Sequence, residues 1–167
     1  MLDHAHPESY RMFESLLGRM LAPQSRDDAA PASAAALRLC QRLYANGRSF
    51  DALPFGRANL VLVKHSDDFA LLRRSHTACG LLLADTADIA GAIEHFTHAL
   101  RLAAAIDDRV EMSRVWNNIG SAFCVSGNFK LAATCFRRVL TILDTESGPV
   151  FSRYTAYINL ALPFSQQ

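Results

Sequence analysis

A chain of 167 residues suits one domain, and folding at that length buries roughly 70% of the unfolded surface. Half of the residues are hydrophobic, 20% are charged and the formal net charge is +1, so composition gives no electrostatic ground for nucleic acid or an acidic membrane as partner. No apolar run reaches bilayer-spanning length, and the N-terminus carries no basic flank ahead of an apolar core, which makes a cytoplasmic location the expectation.

Residues 1–32 are read as a tail, a capping helix and a linker. From Pro7 to Ala22, Tyr10, Phe13, Leu17 and Met20 fall on one helical stripe with Leu16 and Leu21 alongside; Glu8 and Glu14 lie toward its start and Arg19 toward its end. Such a helix would cover the open apolar face of whatever follows. The competing reading, an amphipathic membrane anchor, has only Arg11 and Arg19 to offer a lipid surface. Pro23 to Ala32 is short, polar and bounded by prolines, as a linker would be, and His4 and His6 lack a third metal ligand.

From Ser33 to Gln167 the chain repeats itself every forty residues. Gly47, Ala87 and Gly127 occupy one column; Ala52, Ala92 and Ala132 another; Leu60, Leu100 and Leu140 a third; Leu43, Leu83 and Phe123 a fourth; Cys40, Gly80 and Gly120 a fifth. The Asp67-Asp68 pair recurs as Asp107-Asp108. The clearest unit runs from Trp116 to Leu140. Trp116, Ile119, Gly120 and Phe123 share one helical face, a Ser126-Gly127-Asn128 turn follows, and Phe129, Ala132, Phe136, Val139 and Leu140 share the next. A glycine inside a helix costs about 1 kcal/mol relative to alanine, so Gly80 and Gly120 should stand where the paired helix passes too close for a side chain. Alanines 52, 92 and 132 would supply the matching small surface, with Phe96 and Phe136 filling the space one turn on.

The pattern W-x-x-I-G-x-x-F followed by A-x-x-x-F resembles the tetratricopeptide repeat. That resemblance implies an all-α fold, a right-handed α-solenoid of antiparallel helix pairs, with about three units and a partial fourth across residues 33–167. The period departs from the family's usual 34 residues, and the surplus is placed between the second helix of one unit and the first of the next. The first unit is the least regular. Gly56 stands where the others have phenylalanine, and Pro54 predicts a second helix that is kinked or starts late, near Leu53. In RYTAYINLALPFSQQ, Tyr157, Asn159, Leu160, Ala161 and Phe164 begin the first-helix pattern a fourth time before the chain stops, so this helix is expected to be itself a cap or to mark the front piece of a longer protein, a dimer being the way to hide its open face.

Catalytic arrangements are missing. Cys40, Cys79, Cys124 and Cys135 form no C-x-x-C pair and fall mostly on helical faces, where a thiol packs as a small hydrophobe. His95 and His98 are three apart beside Glu94, without H-E-x-x-H spacing, and read as solvated helix residues; His76 shares the column of Trp116 and reads as a packed ring. The paired aspartates recur at unit junctions, as caps and turns would. No phosphate loop or G-x-S-x-G elbow occurs, so the chain is expected to be no enzyme and to need no metal or cofactor.

The first helices of such a solenoid line its inner groove. The residues expected there are Leu37, Arg38, Gln41 and Tyr44, then Arg74, Thr77 and Leu81, then Arg114, Asn117, Asn118 and Ser121, then Ile158 and Asn159. The resemblance implies that an asparagine in the column of Asn118 and Asn159 holds a peptide backbone, for which an amide can both donate and accept. Arg38, Arg74 and Arg114 read either as a ladder for carboxylates or as ordinary solvated side chains. The functional expectation is a protein- or peptide-binding scaffold, with no nucleic acid or membrane partner. Because the chain begins at Met1 and stops inside a unit, it resembles the N-terminal sensory or docking part of a bacterial regulator, and its alanine- and arginine-rich composition, with only Lys64 and Lys130 as lysines, suits a GC-rich bacterial genome. The alternative is a structural module that forms homo-oligomers through its terminal helices.

Overall fold

The computed structural model describes residues 15, 18, 26–144 and 155–161. Six helices follow one another as α1 (Arg26–Ala45), α2 (Ser49–Val63), α3 (Phe69–Asp85), α4 (Ile89–Ala105), α5 (Arg109–Val125) and α6 (Phe129–Asp144). A further helix, α7, covers residues 155–161. Among the described residues there is no strand. The architecture is the expected all-α array of helix pairs, α1/α2, α3/α4 and α5/α6, each packed on the next.

The forty-residue period is a twenty-residue period taken twice. Helices α3, α4 and α5 are each 17 residues long. Three-residue connections, 86–88, 106–108 and 126–128, join them both within and between units. The surplus over 34 residues therefore lies in the helices on either side of short breaks such as Asp107-Asp108, and among the described connections only 64–68, between the first and second units, is longer. Each connection is a Schellman turn. At 126–128, Gly127 N–H donates to the Cys124 carbonyl (3.0 Å) and Asn128 N–H to that of Phe123 (2.8 Å). The residue that closes the turn then caps the next helix: Asp68, Asp88, Asp108 and Asn128 accept the backbone N–H of Leu71, Gly91, Glu111 and Leu131 at 2.9, 3.0, 3.1 and 3.4 Å. The second aspartate of each pair, Asp68 and Asp108, is thus a cap, as the recurrence implied, and Asp107 lies in the turn with a φ of +50°. The turn column needs the left-handed backbone region, with φ of +68° at Gly47, +66° at Ala87 and +73° at Gly127.

Alanines 52, 92 and 132 have no exposed surface, and Phe96 and Phe136 are buried against them. What approaches the glycines is the ring rather than the partner backbone. A Cβ on Gly80 would lie 2.6 Å from the Phe96 ring, and one on Gly120 2.5 Å from that of Phe136. In the first unit the sizes are redistributed: Cys40 replaces the glycine, Gly56 replaces the phenylalanine, and Phe55 supplies the buried ring one residue earlier. Trp116 is half-buried, bridging the central core and the cluster of Val139, Leu143 and Ala156, with the Arg138 guanidinium 5.9 Å from its ring centroid.

Two expectations about the first unit need correction. Helix α2 begins at Ser49, not near Leu53, and carries Pro54 inside it. Pro54 removes the bond to the Phe50 carbonyl, and Phe50 is exposed, so solvent can take that acceptor. Likewise α1 begins at Arg26 and runs through Pro31, so most of the segment read as a linker is helical. Pro31 falls in the second turn and removes a single backbone bond there. The capping helix expected over 7–22 lies almost wholly outside the described residues, as does Phe164.

Candidate ligand groove

The first helices form a continuous row, α1 touching α3 and α3 touching α5, whereas no comparable contact joins α2, α4 and α6 among the described residues. Helices that converge on one side and fan out on the other curve the array, with the first helices on the inner face. Helix α7 extends that row, since Asn159 Nδ2 donates to Asn117 Oδ1 at 2.8 Å.

A groove of about 320 Å³ opens on this face between α1 and α3. Leu37, Arg38, Gln41 and Tyr44 line one wall, and Arg74, Thr77 and Leu81 the other, all of them expected from the sequence. Arg38, Gln41 and Arg74 are exposed, and Tyr44 is 42% exposed, leaving its ring available to a guest. Thr77 donates its hydroxyl to the Arg73 carbonyl (2.9 Å), so it offers a guest only lone pairs.

The third unit differs. Arg114 is exposed, but its guanidinium pairs with Glu111, and Ser121 donates to the Asn117 carbonyl at 3.0 Å. Asn117 is taken by Asn159, so the asparagine that α7 engages is 117 rather than its neighbour. Asn118 is half-buried and its amide makes no hydrogen bond among the described residues. The arginine ladder therefore has two open rungs, Arg38 and Arg74, and a third tied to a carboxylate.

Two residues that the sequence reading passed over anchor the groove. Arg73 is almost fully buried and pairs with Glu111, whose side chain is 19% exposed, so one carboxylate holds Arg73 across the α3–α5 seam and Arg114 on its own helix. The Arg73 Nε has no partner among the described residues. A signal was present: forty residues to either side, Ser33 and Ser113 occupy the same column and are buried. An arginine where its counterparts are small must reach out for a partner. A further buried polar contact, Asn59 Nδ2 donating to Ser75 Oγ at 2.8 Å, joins α2 to α3.

Away from the groove, His76, His95 and His98 come together between α3 and α4. His76 Nδ1 lies 3.0 Å from His95 Nδ1, and the His76 and His98 rings stack with centroids 4.9 Å apart. His76 is the packed ring its column implied, whereas His95 is half-buried rather than solvated. Burial, reinforced by the two neighbouring imidazoles, lowers the His76 pKa to about 4. Among the described residues no three ligating side chains converge on a metal position. Cys40, Cys79 and Cys135 are buried, and desolvation raises each thiol to a pKa of about 11. Protonated thiols at those positions pack; they do not attack.

No family model and no curated protein matches the chain. Solved structures do. The tetratricopeptide-repeat domain of FLU from Arabidopsis superposes with a TM-score of 0.63 at 13% identity, covering 73% of this chain and all of that one. BtubC (BKLC) from P. vanneervenii superposes with a TM-score of 0.73 at 16% identity; the match takes in 95% of this chain and 65% of BtubC. At such identities the likeness establishes the fold, an all-α helical-repeat solenoid similar to that of tetratricopeptide domains. Among the described residues no helix is long and apolar enough to cross a membrane.

Proposed function

We propose that this chain is a protein-interaction scaffold that holds an extended, acidic peptide segment of a partner along the row α1–α3–α5, and that it acts by binding and not by catalysis. The observation that carries this reading is the groove itself, where Arg38 and Arg74 face outward from opposite walls above an apolar floor of Leu37 and Leu81. Guanidinium groups so placed favour carboxylates through paired, charge-assisted hydrogen bonds. Glu111 stands at the end of the groove with its charge already used by Arg73 and Arg114, so it does not cancel the two open arginines. A cytoplasmic docking module of a larger bacterial regulator suits the alanine- and arginine-rich composition with two lysines.

Fluorescence polarisation with matched acidic and amide-substituted peptides tests the reading. Arg38→Ala with Arg74→Ala should weaken capture of the acidic peptide at least about tenfold while leaving the melting temperature unchanged. Equal binding of both peptides, or indifference to the two substitutions, refutes it. A second reading, self-association through the terminal helices, is favoured by Tyr157 and Ile158, which are 57% and 47% exposed on α7. Sedimentation that stays monomeric across a hundredfold concentration range would remove that reading.

A further inference from the structure

A second opening, unrelated to the inner groove, lies where α2 and α4 diverge over α3. It has a volume of about 570 Å³, within the range of small-molecule sites. Leu60, Phe69, Leu72 and Leu102 give it an apolar floor, and Lys64 and Arg101 stand at its rim. The residues lining it include no aspartate or glutamate, and neither rim cation makes an ion pair among the described residues. Phe69 is 42% exposed, so apolar surface is turned toward the opening and not into the core.

One difference between units stands at this opening. Forty residues after His76 and His98 stand Trp116 and Arg138, whose indole and guanidinium lie one over the other at 5.9 Å. In the second unit an imidazole stacks on an imidazole, with centroids 4.9 Å apart. An imidazole is smaller than an indole, and His76 and His98 line the wedge.

We propose that this wedge binds a small amphiphilic carboxylate, its short apolar tail on the leucine and phenylalanine floor and its anionic head between Lys64 and Arg101. A cationic ligand would meet only positive charge there, and an uncharged one would leave both rim cations unpaired. A monovalent head suits a site whose floor is apolar, because a strongly hydrated dianion loses more on leaving water.

Calorimetric titration of the full chain with octanoate, octan-1-ol and an acidic dodecapeptide tests it. Octanoate should saturate one site with a Kd below about 1 mM, and octanol should bind at least about tenfold more weakly. Lys64→Gln with Arg101→Gln should cost octanoate about tenfold in affinity, whereas Arg38→Ala with Arg74→Ala should leave it unchanged. His76→Trp, which restores the larger ring of the third unit, should abolish binding; if that variant does not fold, the Lys64 and Arg101 pair decides alone. Absence of saturation by about 10 mM octanoate, equal affinity for octanol, or dependence on Arg38 and Arg74 instead of the rim cations overturns the proposal. Displacement of octanoate by the acidic peptide at lower concentration, with dependence on Lys64 and Arg101, also overturns it by assigning the wedge to a protein partner.

Discussion

Gly120→Ala sets two well-characterised effects against each other, and the structure says which wins. Alanine at a helix interior gains about 1 kcal/mol over glycine from propensity alone. The added Cβ, however, would stand 2.5 Å from Cε1 of Phe136 and 2.8 Å from both Cδ1 and Cζ. Carbon atoms pack at about 3.5–4.0 Å, so the ring must retreat by about 1 Å. It cannot do so freely, because Phe136 is 1% exposed and sits beside Ala132, which is fully buried. Overpacking of this kind costs about 1–3 kcal/mol, and several ring atoms overlap at once, which places the cost toward the upper end. The net expectation is a loss of about 1–2 kcal/mol, or about 2–8 °C in melting temperature for a chain of this size. Urea denaturation followed by circular dichroism measures it, and Phe136→Leu supplies the second corner of a double-mutant cycle. With the ring trimmed, Gly120→Ala should become neutral or stabilising, giving a coupling of at least about 1 kcal/mol. A stabilising single substitution, or additive effects of the two, would refute the claim that the ring excludes a side chain there. Gly56→Ala is the contrast. Its Cβ would press on the flexible end of Leu82, 3.2 Å away, with Cys79 at ordinary contact distance, and should change stability little.

Four other outcomes follow from single features of the fold. Ala87 holds a φ of +66° in a column otherwise occupied by glycine, so Ala87→Gly should raise stability by about 1 kcal/mol in the same denaturation assay. Arg48 is the N-cap of α2 and makes no side-chain cap bond, where Asp68, Asp88 and Asp108 do; Arg48→Asn should add about 1 kcal/mol by the same measurement. Glu111→Ala strands the buried Arg73 and should cost about 3 kcal/mol, much of it recovered in Arg73→Ser with Glu111→Ala, since serine fills that column in the neighbouring units. The His76 pKa is lowered from 6.5 to about 4, so the unfolded chain binds its proton first on acidification. The stabilisation is complete above pH 6.5 and is lost as pH falls toward 4; after allowance for partial exposure it amounts to about 1–2 kcal/mol, and His76→Phe should flatten that part of the melting-temperature profile relative to wild type.

The parts of this fold that were legible in the sequence are those that recur. A column repeated every forty residues exposes the packing of Gly120 on Phe136, the capping by Asp68 and Asp108 and the turn at Gly47, because each unit solves the same local problem with the same residue type. The half-period was harder to see. Asp88 and Asn128 cap second helices as Asp68 and Asp108 cap first helices, but the second-helix column runs Arg48, Asp88, Asn128 and so shows no repeat to the eye. What the columns hid were the exceptions that build sites. Arg73 and Arg74 are adjacent and about 100° apart on the helix, and periodicity alone does not say which one turns toward α5. The structure buries Arg73 and exposes Arg74, so the pair splits into an anchor and an open donor. His76, His95 and His98 meet because antiparallel helices fold residues 19 and 22 positions apart onto each other, a distance at which no spacing rule applies.

The two candidate surfaces owe their difference to one geometrical fact. Because first helices touch and second helices fan out, their side chains face different problems. On the inner row, neighbouring helices compete for the same space, so a charged residue must be paired across the seam, as Arg73 is with Glu111, or turned outward, as Arg38 and Arg74 are. On the outer side the second helices make no comparable contact with one another among the described residues, which leaves room for an opening such as that between α2 and α4. In the third unit Trp116 bridges the core to the cluster around Val139, with Arg138 laid over it. In the second, His76 only lines the wedge, and Lys64 and Arg101 face it without a carboxylate. The second unit thus carries a lined opening beside a smaller ring, while its cap and its glycine–phenylalanine contact match those of the third. A repeat protein can acquire a second binding surface in this way while the first stays as it was.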